Sequence, residues 1–323
     1  MTHQITKRAN GYQEMAFVGE TPWHGLGQEL ERDASIEQWK VAARMDWTIE
    51  SSPVHFKTHP DNVYAENAFE GQRVLFRSDS GMPLSVVSKR YHAVQPFEVL
   101  EFFRDLMEEN GFRLHTAGTL FGGKRLWALA ETGKFAEVGN GDGIGGFLLL
   151  STSADRSLAT TARFTTVRVV CNNTLSMAIS TNAHTVSFTH LSKFDHAKVK
   201  AKLEQQVESF GTFMHAAKYL KSQRLTALQA KEFVNKIMLS AAQQNDPEYA
   251  IERNKPIRKI LDLFHGEAKG VELAGETRWG LLNAVTEYFD HHHPARTGSA
   301  RLNNAWFGNG NTAKDTALEL LLD

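Results

Sequence analysis

The chain has 323 residues, 41% of them hydrophobic and 23% charged, enough to bury a sizeable core in one large domain or two of ordinary size. Its single cysteine, Cys171, excludes an internal disulfide and any zinc site built on cysteine pairs. The formal net charge is -1, yet residues 151–225 carry ten Lys and Arg against four Asp and Glu, with the acid excess on either side, a distribution that suits one polyanion-facing surface.

The first thirty residues read as an irregular arm punctuated by Gly19, Pro22, Gly25 and Gly27. Ser35 and Gln38 have capping-box spacing ahead of Ile36, Trp39 and Val41, so a helix is expected from Ser35. Trp47–Phe56, Arg73–Phe76 and Leu84–Val87 read as strands, the last two joined at Asp79-Ser80-Gly81. Pro96 opens a helix with Phe97, Leu100, Phe103 and Leu106 at helical spacing, and Asn110-Gly111 closes it. Strands Phe112–Phe121 and Lys124–Glu131 flank Gly122-Gly123, a hairpin signal. A third strand, Phe147–Ser153, follows a glycine-rich loop, and a fourth, Leu158–Phe164, follows the turn at Asp155-Arg156. Thr166–Ser180 then changes period, with Val167, Val170, Cys171, Leu175 and Ala178 on one helical face.

Beyond Asp195 the periodicity is helical: His196–Lys221, Thr226–Gln244, Pro247–Phe264 with a kink or a split at Asn254-Lys255-Pro256, and Trp279–His291. Thr312 and Asp315 are expected to cap a terminal helix. The fold class is therefore α+β, an antiparallel β-meander followed by a helix (a β-β-β-α core) with a mainly helical C-terminal part. It divides into an arm at 1–30, a core at 31–195 and a helical region at 196–323. No apolar run approaches the roughly 20 residues of a membrane span, and Met1–Asn10 has no signal-peptide core. A cytoplasmic protein is expected.

Gly141-Asp142-Gly143-Ile144-Gly145-Gly146 spells G-x-G-x-x-G, but a strand follows where a dinucleotide fold needs a helix, so no cofactor is expected. His184, His190 and His196 recur every six residues, a spacing that fits neither one helical face nor the usual ligand pairs, and no metal is expected. Cys171, on the apolar side of its expected helix, reads as a buried thiol. Asn283, Glu287 and His291, four apart on the Trp279–His291 helix, read as structural polar residues.

Ser151–Thr166 is rich in Thr, Ser and Arg and poor in acid, which suits phosphate oxygens. Arg156, Arg163 and Arg168, with Asn172 beyond them, are candidate nucleic-acid contacts. Lys89-Arg90-Tyr91 and Lys124-Arg125 add cations, with Tyr91 and Trp127 nearby to stack bases. Phe17 and Trp23 in the arm are candidate contacts to a neighbouring subunit.

Three signatures, Glu20-Thr21-Pro22-Trp23-His24-Gly25-Leu26-Gly27, Cys171-Asn172-Asn173-Thr174-Leu175 and the stretch from Trp279 to His291, occur in this order. The chain resembles, on these, the phage/plasmid-like proteins grouped as domain of unknown function 932. More remotely, its core is similar to single-strand annealing proteins of the Rad, RecT and Red-beta type. The resemblance implies a non-catalytic single-stranded DNA-binding and annealing protein of a mobile element. It would act as a homo-oligomer, a ring or filament, in recombination or replication, with host replication or recombination proteins as further partners. The rival expectation is a phage- or plasmid-encoded factor that modulates a host enzyme or defence system. A third is an enzyme centred on His24, Glu287 and His291. No G-x-x-x-x-G-K-[ST] is present, so nucleotide hydrolysis is not implied.

Overall fold

The computed structural model describes residues 13–19, 27–58, 66–139, 141–168, 173–176, 185–188, 190, 209–244 and 254–323. It is mixed α+β, with antiparallel strands followed by a mainly helical C-terminal region. The strands form two sheets. The larger contains β1 (Met15–Val18), β2 (Gln28–Leu30), β6 (Arg113–Leu120), β7 (Arg125–Glu137), β8 (Gly143–Ser153), β9 (Thr160–Arg168), β10 (Asn173–Ser176) and β11 (Thr185–Phe188). Its order is β10-β9-β8-β7-β6-β1-β2, and β11 shares with β10 the edge of β9. β3 (Ile49–Lys57), β4 (Glu66–Arg77) and β5 (Pro83–Ser88) form the smaller sheet.

Alternation along the strands splits the large sheet into two packed faces. Leu126, Ala128 and Ala130 of β7 with Leu148 and Leu150 of β8 join the main core. Trp127, Leu129, Phe147 and Leu149 point the other way, into a second cluster.

Helix α1 (Ile36–Ala42) starts at the expected capping box of Ser35 and Gln38. Helix α2 (Pro96–Asn110) has proline in its first turn and ends on Gly111 at φ 68°, a left-handed cap that favours glycine. The Gln95 amide before α2 bonds both to Ile49 N at 2.8 Å and to Ile49 O at 3.2 Å, which docks the small sheet. The main core is completed by α3 (Ser209–Ser222), α4 (Ala227–Met238), α5 (Lys255–Asp262) and α6 (Arg278–Glu287). Two helices follow, α7 (Gly298–Phe307) and α8 (Asn309–Leu322), and α7 lays Leu302, Trp306 and Phe307 on the second cluster.

Several sequence expectations change. Thr166–Ser180 is not a helix where it is described: Thr166–Arg168 ends β9 and residues 173–176 form β10. β-branched Thr165, Thr166 and Val167 favour the pleated ladder over the helical spacing of the apolar residues. Met15–Val18 is a buried strand of the large sheet rather than part of an arm. Gly143, Gly145 and Gly146 lie inside β8, where a Cβ at Gly146 would press on Phe210, Thr132 and Lys134. Asn254 caps α5 and Pro256 sits in its first turn, so a helix opens at these residues, and the part of the expected helix before Asn254 lies outside the described residues. Helix α8 begins at Asn309, and Thr312 and Asp315 lie inside it.

A buried charge joins the two structural parts. Asp142, fully enclosed, accepts two bonds from Arg168, from Nε at 2.6 Å and from Nη2 at 3.1 Å, and a third from Trp279 Nε1 at 2.9 Å. Two more guanidinium donors reach Lys269 O at 3.2 Å and Gly270 O at 2.8 Å. Gly280, next to Trp279, is required locally because a Cβ there would collide with Gly275 O. Removing one partner of a buried pair leaves the other charge uncompensated. Arg168→Ala should therefore cost about 3–5 kcal/mol in chemical denaturation. Arg156→Ala, at an exposed turn, should stay within about 0.5 kcal/mol; equal losses would remove Asp142 from its organising role.

Candidate nucleic-acid interface

Three chain segments meet at one end of the large sheet: the turn after β5, the β6–β7 turn and the β8–β9 turn. Tyr91 Oη donates to Ser153 O at 2.6 Å, Ser85 Oγ donates to Ala154 O, and Ala154 N donates to Lys124 O at 2.8 Å. His190 stacks on Tyr91 with ring centroids 4.6 Å apart, and its imidazole bonds to His92 O and Leu158 O. Burial, with Asp155 adding to it, pushes the Tyr91 phenol up to about 12, so the hydroxyl remains a donor at neutral pH.

This clamp ties the segments that carry Lys89-Arg90, Lys124 and Arg156 to one another at the end of the large sheet. Lys89, Arg90 and Arg156 are exposed and Lys124 is half-buried. Arg156 holds a left-handed backbone, φ 66°, in a turn where Asp155 Oδ1 accepts from Ser157 N at 3.0 Å. Phe121, Gly122 and Gly123 hold three successive positive φ angles, 55°, 73° and 92°. Glycine is the only residue that fits the last of these comfortably, since a Cβ there would press on Trp47. The turn leaves Phe121 39% exposed, three residues before Lys124. Of the nearby acids, Asp79 is already paired with Arg77, whose guanidinium also holds buried Glu14 at 2.7 and 3.0 Å.

The other expected contacts go elsewhere. Arg125 is buried, donates to Ser157 Oγ at 2.7 Å and lies 5.4 Å from the Phe307 ring centroid. Arg163 donates to Trp306 O and packs over Phe307, which makes it a bracket between β9 and α7. Arg168 belongs to the Asp142 network. These three are turned inward, because folding uses their stems to cover apolar surface and aims donors at Ser157 Oγ, Trp306 O and Asp142. The strand hydroxyls are also spent: Ser151 pairs with Thr161 at 2.9 Å and Thr152 with Thr160 at 2.8 Å across β8 and β9. Phe17 is buried within its own chain and offers nothing to a neighbour. Asn172, Trp23, His24 and Cys171 lie outside the described residues.

On α6, Asn283 Nδ2 donates to Trp279 O at 2.8 Å, while Glu287 accepts from Lys269 N at 3.2 Å and approaches His292 Nε2 at 3.7 Å. His291 is half-buried, and its carbonyl accepts from Arg301. Sequence reasoning missed Asp290 and Lys314. Asp290 accepts from Lys314 Nζ at 2.7 Å and from Thr174 N at 2.7 Å, and Lys314 also donates to Thr174 O at 2.8 Å. Thr174 lies in the Cys171–Leu175 signature and Asp290 in the Trp279–His291 signature, so this knot fastens two of the three signatures together. Among the described residues no cluster of three or more His, Cys, Asp or Glu could hold a metal, and no helix is long and apolar enough to cross a membrane.

Residues 83–306 match the family described as domain of unknown function (DUF932), and the chain belongs to that family. The match covers β5 to α7, and so takes in the interface turns and the Cys171–Leu175 and Trp279–His291 signatures. No curated protein matches the chain, and no solved structure does either.

Burial raises the Glu287 carboxyl above its ordinary value, against the opposing pull of Lys269 and Arg168. A carboxyl raised in the folded state holds its proton more tightly folded than unfolded. Its contribution is thus fully present below the ordinary value of about 4.3 and is lost as pH rises through the raised one. Glu287→Gln should flatten the decline in stability above that ordinary value, measured as denaturation midpoints across a pH series. Asp315, raised by burial in the same direction, should retain part of the decline.

Proposed function

We propose that the chain binds single-stranded DNA without turning it over, through the turn end of its large sheet. The observation that carries this reading is that the segments bearing Lys89-Arg90, Lys124 and Arg156, distant in sequence, are hydrogen-bonded to one another at the end of the large sheet whose β6–β7 turn exposes Phe121. Cations of this kind follow a backbone, and an exposed aromatic ring stacks a base of any identity, which is the chemistry of sequence-tolerant single-strand binding. On this reading several copies acting along one strand anneal complementary strands during recombination or replication of a phage or plasmid. Support for that role comes from the patch; the helix expected over Thr166–Ser180 is a strand where it is described.

A second reading, a factor that docks on a host protein, is favoured by the β3–β4 ribbon. From Glu50 to Lys57 and from Asn67 to Gln72 it is mostly exposed on both faces, and it carries Phe56 and Phe69 at 46% and 50% exposure with ring centroids 6.5 Å apart. A ribbon of two strands is marginal alone in water, and an aromatic pair of this sort suits a protein partner.

Fluorescence anisotropy with a labelled single strand at several salt concentrations separates the two. Affinity should fall with salt by about 0.7 log unit per phosphate contact for each tenfold rise. The triple variant Lys89→Ala, Arg90→Ala, Arg156→Ala should flatten that slope, and Phe121→Ala should weaken binding at every salt concentration. Unchanged slope and affinity in the triple variant would defeat the interface. No binding by the parent would leave the ribbon as the working surface.

A further inference from the structure

We infer that a second, separate site lies between the outer face of the large sheet and α7, and that it takes a nucleobase carrying a phosphate, of the size of a mononucleotide. The cavity there is about 500 Å³, within the range of small-molecule sites, roughly 300–1,000 Å³. It opens toward the β7–β8 end of the sheet, opposite the Phe121 turn, so it does not rest on the interface reading.

Its walls fit a flat ring. Trp127 and Trp306 meet edge to face at 5.0 Å, and His115 meets Phe147 edge to face at 5.3 Å, with Leu129 and Leu302 filling in. Within this apolar lining three residues carry buried polar atoms that have no hydrogen-bond partner among the described residues: Trp127 Nε1, Thr116 Oγ1 and His115 Nδ1. Trp127 is 1% exposed and Thr116 is 6% exposed. Buried polar atoms are rarely left unpaired, and three around one cavity point to a ligand that pairs them. The indole can only donate, so the ligand must offer an acceptor; the hydroxyl can donate or accept. Burial lowers the His115 imidazole from its ordinary value, which keeps it neutral and gives one ring nitrogen as donor and the other as acceptor. A nucleobase edge meets this mixture of donors and acceptors, whereas a hydrocarbon or a plain aromatic acid does not.

The rim supplies the rest. Arg32, Arg113 and Lys134 are exposed around the opening, facing only Glu131 as an unburied acid, since the other lining carboxylate, Asp290, is bound to Lys314 and Thr174. A net positive rim over an aromatic slot suits an anionic group attached to the ring by a short linker, as in a nucleoside monophosphate. The occupant is either a free mononucleotide or one base of a strand, and the chemistry is shared.

Isothermal titration of the full chain with the four ribonucleoside 5′-monophosphates, the matching nucleosides and inorganic phosphate tests the site. At least one monophosphate should bind saturably, its nucleoside more weakly, and phosphate alone not at all. Trp127→Phe keeps an aromatic ring, a smaller one, and removes the donor, and should weaken the monophosphate by about tenfold. Arg113→Ala, on the exposed rim and harmless to the core, should bring monophosphate affinity down to that of the nucleoside; it keeps the test decisive if Trp127→Phe fails to fold. Competition against a labelled single strand then identifies the source. Displacement by monophosphate marks a strand base as occupant, and simultaneous binding marks a free nucleotide. Absence of binding by every monophosphate at millimolar concentration, or equal affinity in both variants and the parent, overturns the site.

Discussion

The carboxylate of Asp142 is the constraint on which the rest of the structure depends. A charge taken entirely out of water is tolerable only when its lone pairs are filled, and Asp142 is filled from two directions, by Arg168 at the end of β9 and by the Trp279 indole at the start of α6. The guanidinium then has donors left over, and two of them are taken by the carbonyls of residues 269 and 270, ahead of α6. Packing apolar faces would let the helices slide over the sheet at little cost. A directional network of this kind fixes one register, so the orientation of the helical region on the sheet is set by polar chemistry inside an apolar core. The same device recurs in the Glu14–Arg77 pair against β6 and the Asp290–Lys314 pair against β10.

Local signals were legible in the sequence. The Ser35 and Gln38 capping box, proline at the head of α2 with glycine at its end, and the glycines of the β6–β7 turn each act within a few residues, and the structure follows them. Charges were not legible in the same way. Arg156 and Arg168 belong to one basic segment and look alike in sequence, yet one is at an exposed turn and the other is 3% exposed. What separates them is whether an acid distant in sequence is waiting for them, and Asp142 was hidden among glycines whose spacing suggested a phosphate loop. Lys314 gave no signal, because a buried lysine and a surface lysine have the same neighbours along a helix. The Thr166–Ser180 segment failed for a different reason: its apolar residues fit a helical period, but its β-branched residues fit a strand edge already prepared by β8.

The local charge excess was therefore a partial guide to surface. Arg163 and Arg168 spend their charge inside the fold, and the candidate interface draws on short motifs outside the basic segment, Lys89-Arg90 and Lys124, as well as on Arg156. These motifs come together because Tyr91 and Ser85 reach the β8–β9 turn, so the candidate interface is made by two hydrogen bonds to backbone carbonyls as much as by the cations themselves. The sheet has distinct environments at its two ends: exposed cations at the short turns, and an enclosed aromatic slot toward the β7–β8 end.

The separations in sequence across the buried knots have a bearing on synthesis. Glu14 waits for Arg77, Asp142 for Trp279, and Thr174 for Asp290 and Lys314. While the chain is emerging from the ribosome, the sheet can be drawn together, but Asp142 and Thr174 lack the partners that arrive more than a hundred residues later. Strand edges and half-paired charges are then open to other chains, the circumstance in which chaperone capture and aggregation compete with folding. The helical region thus acts as a late-arriving lock, and any shortening of the polypeptide near Lys314 would leave the sheet made but unfastened.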